Sequence, residues 1–517
     1  LNSCSTEEQT DAPILNILEN DSIPVEQKIQ FVLQNENLSA LGLNSYEQQW
    51  LQTYYEKRNY EAIWINDSIL TKKGMEMDTS LNHSEWFGIP HKRLIFSNRD
   101  ANLNWIEKEI VLTAQIALTI NDLNNGFLTT GKVAFNQRNF ISSNVLDSLL
   151  NKYVNQDPDS IFLNQGPIDS NYRFLAQNLY SFCKKYNTDR TEFKIQSEKK
   201  DSLAAYQGAK LALLSKGYLL QESRDDEAKF KFALKLFKKH NGLEESFKID
   251  DETAIALNES NYSKIMRASI ALDKLRQRGK FPNKYVLINI PEYLLRFFES
   301  DTLRATHKII VGKPETPTPT LKSKIYEIVV FPYWNVPQSI ANNEILPAAK
   351  ANPSYFSKNN FKIYGKSGQI NPYAVNWNKF KSAFPYRVVQ SPGPKNSLGV
   401  IKFEFHNKYG VYLHDTPSKN LFNKKIRAFS HGCMRCQNPA DLAKVILKYD
   451  SIPNRINPVQ SDSLDSLLIS GVNTEIKLKK PVPIFVEYQT VFADRKSILF
   501  YKDIYQSEKE LVEFLSN

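Results

Sequence analysis

Two of the chain's four cysteines, a histidine and a glycine crowd into "FSHGCMRCQNP" (residues 429–439), and another histidine stands upstream in "VYLHDTP" (411–417). A cysteine is a good nucleophile only as thiolate, so acyl chemistry here needs a base or a positive field beside it. Three histidines compete for that work: His406, His414 and His431. His431 lies two residues before Cys433, so in extended backbone both side chains could face one way. His414 closes "GVYLH" and is expected at a strand end, from which a turn and a neighbouring strand could bring it beside Cys433. His406 has no partner at the expected spacing and reads as a strand-surface residue. As zinc ligands His431, Cys433 and Cys436 are crowded, and no second cluster completes a four-ligand site, so no metal is expected. Cys433-Met-Arg-Cys436 has redox-pair spacing without the βαβ surroundings of a thioredoxin-like motif. Cys436 therefore reads as a small buried hydrophobe, with a disulfide that silences Cys433 as the alternative.

Several kinds of element must hold these residues. At 517 residues the chain has room for two to four domains of about 150 residues. Its 41% hydrophobic content suits packed cores. No run approaches the roughly 20 apolar residues of a membrane span, so no spanning helix is expected. The net charge of +10 is spread along the chain without a dense basic tract, which speaks against a nucleic-acid partner. Residues 24–202 repeat apolar positions at three- and four-residue spacing, as in "SYEQQWLQTYYEKRNY" and "NWIEKEIVLTAQIALTINDLNNG", and predict a helical scaffold. Cys183, in "FLAQNLYSFC", reads as an inert core thiol. Residues 203–260 predict a small helical unit in which "FKFALKLFKKH" puts Phe232, Leu236 and Phe237 on one face and Asn241-Gly242 ends the helix. From Lys284 short β-branched and aromatic runs predict a mostly-β domain over 284–510. It is interrupted at about 341–397 by a Pro-, Asn-, Tyr- and Lys-rich stretch too long for a plain loop, which reads as a cap. "NPADLAKVILKY" should begin a helix with Asn438 as N-cap and Pro439 first.

Tyr412-Leu-His414-Asp-Thr-Pro followed by Ser430-His431-Gly432-Cys433-Met434-Arg435, with nineteen positions from His414 to Cys433, resembles the catalytic signature of the L,D-transpeptidases. "ILPAAKANPSYF", "FPYRVVQSPGPKNSLGVIKFEF" and "KKPVPIFVEYQTVFAD" resemble the large subfamily of that family. The 203–260 unit resembles a three-helix peptidoglycan-binding module through Phe237, Gly242, Leu243, Asp251, Thr253, Ala256, Leu257 and Asn258. The fold so implied is multidomain α+β, with a helical scaffold, a three-helix module and a C-terminal mostly-β catalytic domain with an inserted cap. The resemblance implies Cys433 as nucleophile and His414 as proton donor and acceptor, working as a thiolate–imidazolium pair. Gly432 and the Cys433 amide would serve the oxyanion hole, with Tyr412 by the acyl group, and Ser430, His431 and Arg435 shaping the site. It implies no cofactor, and peptidoglycan stems as substrates: D-alanine is released, a thioester forms on Cys433, and a stem amine resolves it to a 3→3 crosslink. An L,D-carboxypeptidase and a non-catalytic wall-binding scaffold are the alternatives. β-Lactams of the carbapenem class would acylate the thiol. "LNSC" has the form of a lipoprotein processing site, with Cys4 lipidated and residues 1–23 a tether, which implies a periplasmic protein of the bacterial cell envelope, with an outer-membrane lipoprotein as one form of it.

Overall fold

The computed structural model describes residues 20, 22–35, 38–94, 103–153, 156–450 and 463–517. Cys4 and nearly all of the expected tether lie outside these residues. The chain divides into two compact units, one of residues 1–279, 490–501 and 507–517, the other of residues 280–489 and 502–506.

The first unit is helical, and the buried helix Trp105–Asn125 anchors it. Asn104 opens this helix through a reciprocal capping box with Glu107, which satisfies N–H groups that a helix start leaves unpaired. Its apolar residues bury on most sides, so the few polar ones inside must be paired. Glu109 accepts from the Tyr55 hydroxyl at 2.7 Å and from the Ile63 and Trp64 amides at 2.9 and 2.8 Å. Asp122 pairs with Arg93 at 2.7 Å. Cys183 is buried and its thiol is pushed well above the ordinary range by burial, as expected of an inert core cysteine. The hairpin Val491–Ala493/Ile498–Phe500, expected to close the β domain, instead joins this helical core, where Phe500 lies 5.5 Å from Phe182.

Helices Ser202–Ser215, Glu227–His240 and Asp251–Asn258 enclose a smaller core of their own. One expected face is corrected here. Phe230, Ala233, Leu234 and Phe237 point inward, whereas Phe232 is 70% exposed and Leu236 is half-buried. "FKFALKLF" carries two apolar stripes, and helical spacing alone does not say which one meets the other helices. The residues of the module signature hold the fold: Phe237, Thr253 and Leu257 are buried, and Asn258 exchanges two hydrogen bonds with the Ile195 backbone. Gly242 takes a left-handed φ of 62° at the helix end, where a Cβ would meet Tyr501 at 2.8 Å.

The second unit is built on a nine-stranded sheet. Its strands are β1 (Lys284–Asn289), β2 (Leu294–Glu299), β3 (Thr302–Gly312), β4 (Leu321–Val330), β5 (Ile401–Phe405), β6 (Leu413–His414), β7 (Ala428–Ser430), β8 (Met434–Cys436) and β9 (Thr474–Glu487). The order is β7-β3-β8-β6-β5-β4-β9-β1-β2, and β2 pairs back onto β3, so the sheet closes on itself. Closure leaves few open edges to pair with other chains. Apolar residues alternate with polar ones along β5, and the apolar set (Ile401, Phe403, Phe405) joins Leu413, Met434 and Cys436 in one core. Helix Pro439–Lys448 packs on this core through Leu442, Ala443, Ile446 and Leu447. Pro439 takes its first position as expected, but Asn438 is left-handed (φ 48°) and makes no side-chain cap.

Between β4 and β5 the chain forms an inserted unit that begins earlier than expected. Strands Trp334–Asn335, Arg387–Gln390, Phe361–Gly365 and Gly368–Ile370 form a four-stranded sheet in that order. Its core is aromatic, with Trp377 stacked on Phe356 at 5.2 Å and on Phe384 at 5.4 Å. Trp377→Ala should destabilise this insert by about 3–5 kcal/mol. Limited proteolysis should then cut within 334–390 while the closed sheet resists, and equal resistance of the insert would contradict a separate core.

Candidate active site

The register of three neighbouring strands builds the site. β5 and β6 are antiparallel with Lys402 opposite His414 and Phe403 opposite Leu413. β6 and β8 are parallel with Leu413 opposite Met434 and His414 opposite Arg435. Directly paired residues share a face and successive residues alternate, so Phe403, Leu413 and Met434 all enter the core. Lys402, His414 and Arg435 form a row on the opposite face. One step back along β6, the Met434 amide donates to the Tyr412 carbonyl at 3.0 Å, which aligns Tyr412 with Cys433. The thiol bonds the Tyr412 hydroxyl, and that hydroxyl accepts from the Trp334 indole at 3.1 Å. The Tyr412 and His414 rings lie 5.5 Å apart, edge to face.

The turn that carries Cys433 is tied down on both sides. Ser430 Oγ donates to the Cys433 carbonyl at 2.6 Å and accepts from the Gly432 amide at 3.2 Å. Thr318 Oγ1 donates to the Gly432 carbonyl at 2.8 Å. Gly432 has φ +112°, a backbone that a side chain rarely permits. The Gly432 N–H, expected to serve an oxyanion, is committed to Ser430 in this resting arrangement. Of the two expected donors, the Cys433 N–H is the one Ser430 does not hold.

The histidines separate clearly. His414 is buried, and its Nδ1 has no hydrogen-bond partner among the described residues. His431 is exposed, and its Nε2 faces Glu344 Oε1 of the insert at 2.8 Å. His406 stacks on Tyr326 at 4.3 Å on the sheet surface. Cys436 is on the core side, buried beside Met434 and three residues from Cys433, so the two sulfurs face opposite ways. That placement suits neither a shared metal nor a disulfide without rearranging β8.

Burial sets the resting charge state. It pushes the Cys433 thiol upward, against the pull of the Tyr412 hydrogen bonds, Lys402 and Arg435. Burial also lowers His414 to about 3, helped by the positive charges of Arg435 and Lys402 and opposed by the Asp415 backbone. Both groups are therefore neutral at pH 7, and the expected thiolate–imidazolium pair is not the resting form. A neutral imidazole can accept a proton, so base chemistry at His414 needs no preformed ion pair.

Trp334, Lys402, Glu344 and Thr318 also shape this site, and sequence reading did not single them out. Lys402 lies 4.1 Å from the Tyr412 ring centre and pairs with Glu404, which follows it on the same face. The alternation in "IKFEF" marks both as one face, but only the register shows that this face is the site.

Two results should follow. Alkylation of Cys433 by iodoacetamide, read by peptide mass mapping, should keep accelerating above pH 9.0, and Lys402→Met should move the profile higher still. A plateau below pH 7 would show a preformed thiolate. The unfolded His414 imidazole binds its proton near 6.5 and the folded one only near 3, so the unfolded chain holds more protons between these values. The stability owed to neutral His414 is complete above pH 6.5 and is lost as pH falls towards 3, by a few kcal/mol. Denaturant titrations of the protein and its His414→Gln variant should converge in this acid window, and parallel pH curves would contradict the assignment.

Residues 283–460 match the L,D-transpeptidase catalytic domain family (YkuD), and residues 49–179 match the scaffold domain family. A Haemophilus influenzae protein, provisionally assigned as an L,D-transpeptidase, is 32% identical over 255 residues. The match takes in 49% of this chain and 50% of that protein, so it spans about half the length of the relative. The solved structure of the Ldtfm–avibactam carbamoyl enzyme is 12% identical over 42% of this chain and 61% of its own, with a TM-score of 0.18. A mutant of an Enterococcus faecium L,D-transpeptidase is 13% identical over 42% and 62%, with a TM-score of 0.16. Residues 283–460 are thus similar to the L,D-transpeptidase catalytic domain, and residues 49–179, in the helical region, to the scaffold domain.

Proposed function

We propose that this protein is an L,D-transpeptidase that forms 3→3 crosslinks in peptidoglycan through a thioester on Cys433. The observation that carries this reading is the row of Tyr412, His414, Cys433 and Arg435 on one face of β6 and β8, inside the matched catalytic domain. The thiol sulfur attacks the carbonyl carbon of the third residue of a tetrapeptide stem, and His414 takes the thiol proton. Negative charge on the carbonyl oxygen meets the Cys433 N–H and the field of Arg435 and Lys402. The imidazolium returns its proton to the leaving D-alanine nitrogen, the C–N bond breaks, and the stem remains as thioester. An amine from a neighbouring stem then displaces the sulfur.

The three-helix module serves in this reading as a wall-binding unit. Phe237, Thr253, Leu257 and Asn258 of its signature are occupied with holding its own fold, so binding falls to its surface, where Asp251, Phe232 and Phe247 are exposed. A lipid anchor at Cys4 would keep the enzyme in the periplasm beside its substrate.

Incubation with a disaccharide-tetrapeptide should give an acyl-enzyme, free D-alanine and crosslinked dimer, all read by mass. Cys433→Ala should give none of these, and His414→Gln should slow acylation by about 10²–10⁴-fold. A carbapenem should add once per chain and not to Cys433→Ala, because its strained carbonyl is an activated acyl donor. D-Alanine release by Cys433→Ala would sink the assignment, and tripeptide as the sole product would make water the acceptor.

A further inference from the structure

We propose that Glu344, on the inserted unit, is the acceptor-binding residue: its carboxylate captures the ammonium group of the incoming stem amine beside the Cys433 thioester. This rests on the acyl-transfer reading of Cys433 and adds what selects the second substrate.

Glu344 lies in the π-helical turn Ala341–Ile345, a strained form of helix that recurs at functional sites. It is half-exposed, and its Oε1 is 2.8 Å from Nε2 of His431, two residues from the nucleophile. Its field also helps keep the buried Arg435 guanidinium charged. Of the carboxylates on the matching face of the sheet, Glu404 is already paired with Lys402, and Glu327 and Glu475 stand further along it on β4 and β9. Among the described residues the one ion-pair partner of Glu344 is a histidine, so no lysine or arginine occupies its carboxylate. Deeper in the site, His414 Nδ1 and Arg435 Nε are buried without partners among the described residues. The site thus holds unused polar atoms inside and one carboxylate on the insert.

A stem amine is protonated in neutral solution, and water is in vast excess, so crosslinking needs a group that concentrates the cation at the thioester. The captured ammonium gives one proton to solvent. The nitrogen lone pair then forms the C–N bond, and the C–S bond breaks with its electron pair passing to Cys433. The second amine proton passes through His414 to that sulfur, restoring the thiol.

The test takes the ratio of crosslinked dimer to hydrolysed tripeptide from a tetrapeptide muropeptide, each normalised to acyl-enzyme formed. E344Q should lower the ratio about tenfold and E344K further, because the effect follows charge. Raising salt from about 0.05 M to about 0.5 M should lower it in the wild type and little in E344Q. H431Q breaks the same ion pair but keeps the carboxylate, so its ratio should stay well above that of E344Q. Equal ratios in wild type and E344Q, or an H431Q ratio as low as that of E344Q, would overturn the proposal, the second showing a mere latch. A wild type that acylates but yields tripeptide alone would also overturn it. Failure of the wild type to acylate would instead remove the underlying reading.

Discussion

The parallel pairing of Leu413–His414 with Met434–Cys436 is the constraint on which the site depends. Side chains alternate along a strand, so a slip of one residue would exchange the two faces. Met434 and Cys436 would then leave the core, and Cys433 and Arg435 would enter it. The apolar set Phe403, Leu413 and Met434 prevents this, because those three are fully buried in one row. The same residues that fill the core therefore fix which groups stand on the chemical face. Ser430 and Thr318 complete the task by holding the turn at Gly432, where regular pairing ends.

Burial on that face then decides the chemistry. In water an ordinary thiol holds its proton more tightly than imidazole does, so an ion pair would need a site that favours both charges; here desolvation disfavours both charged forms. Lys402 and Arg435 act in opposite senses on the two partners. Their positive field favours thiolate at Cys433 and disfavours imidazolium at His414. A Cys433 held as neutral thiol reacts more slowly with stray electrophiles and oxidants than a thiolate would.

The parts of the site legible in the sequence were those encoded locally. Cys433, Gly432, Ser430, Arg435, Tyr412 and His414 sit in two short motifs, and the β-branched runs around them announced strands. Lys402 and Trp334 belong to segments whose place depends on long-range register, so no local pattern marks them. Glu344 lies in an insert whose fold comes from aromatic stacking around Trp377, which has neither helical nor strand period. The helix with Phe232 shows the limit of periodicity where two apolar stripes compete. The Val491–Phe500 hairpin shows another: strand propensity gave its conformation, but its partners lie in the helical unit.

The central claim is that register and burial hold both Cys433 and His414 neutral at rest. Nitrogen-15 spectra of the resting protein labelled at histidine, with His414 assigned by the His414→Gln variant, test it directly. The account predicts a neutral His414 imidazole from pH 5 to 9, with no change in its protonation state. An imidazolium signal at pH 7 that disappears as the Cys433 thiol is alkylated would contradict it.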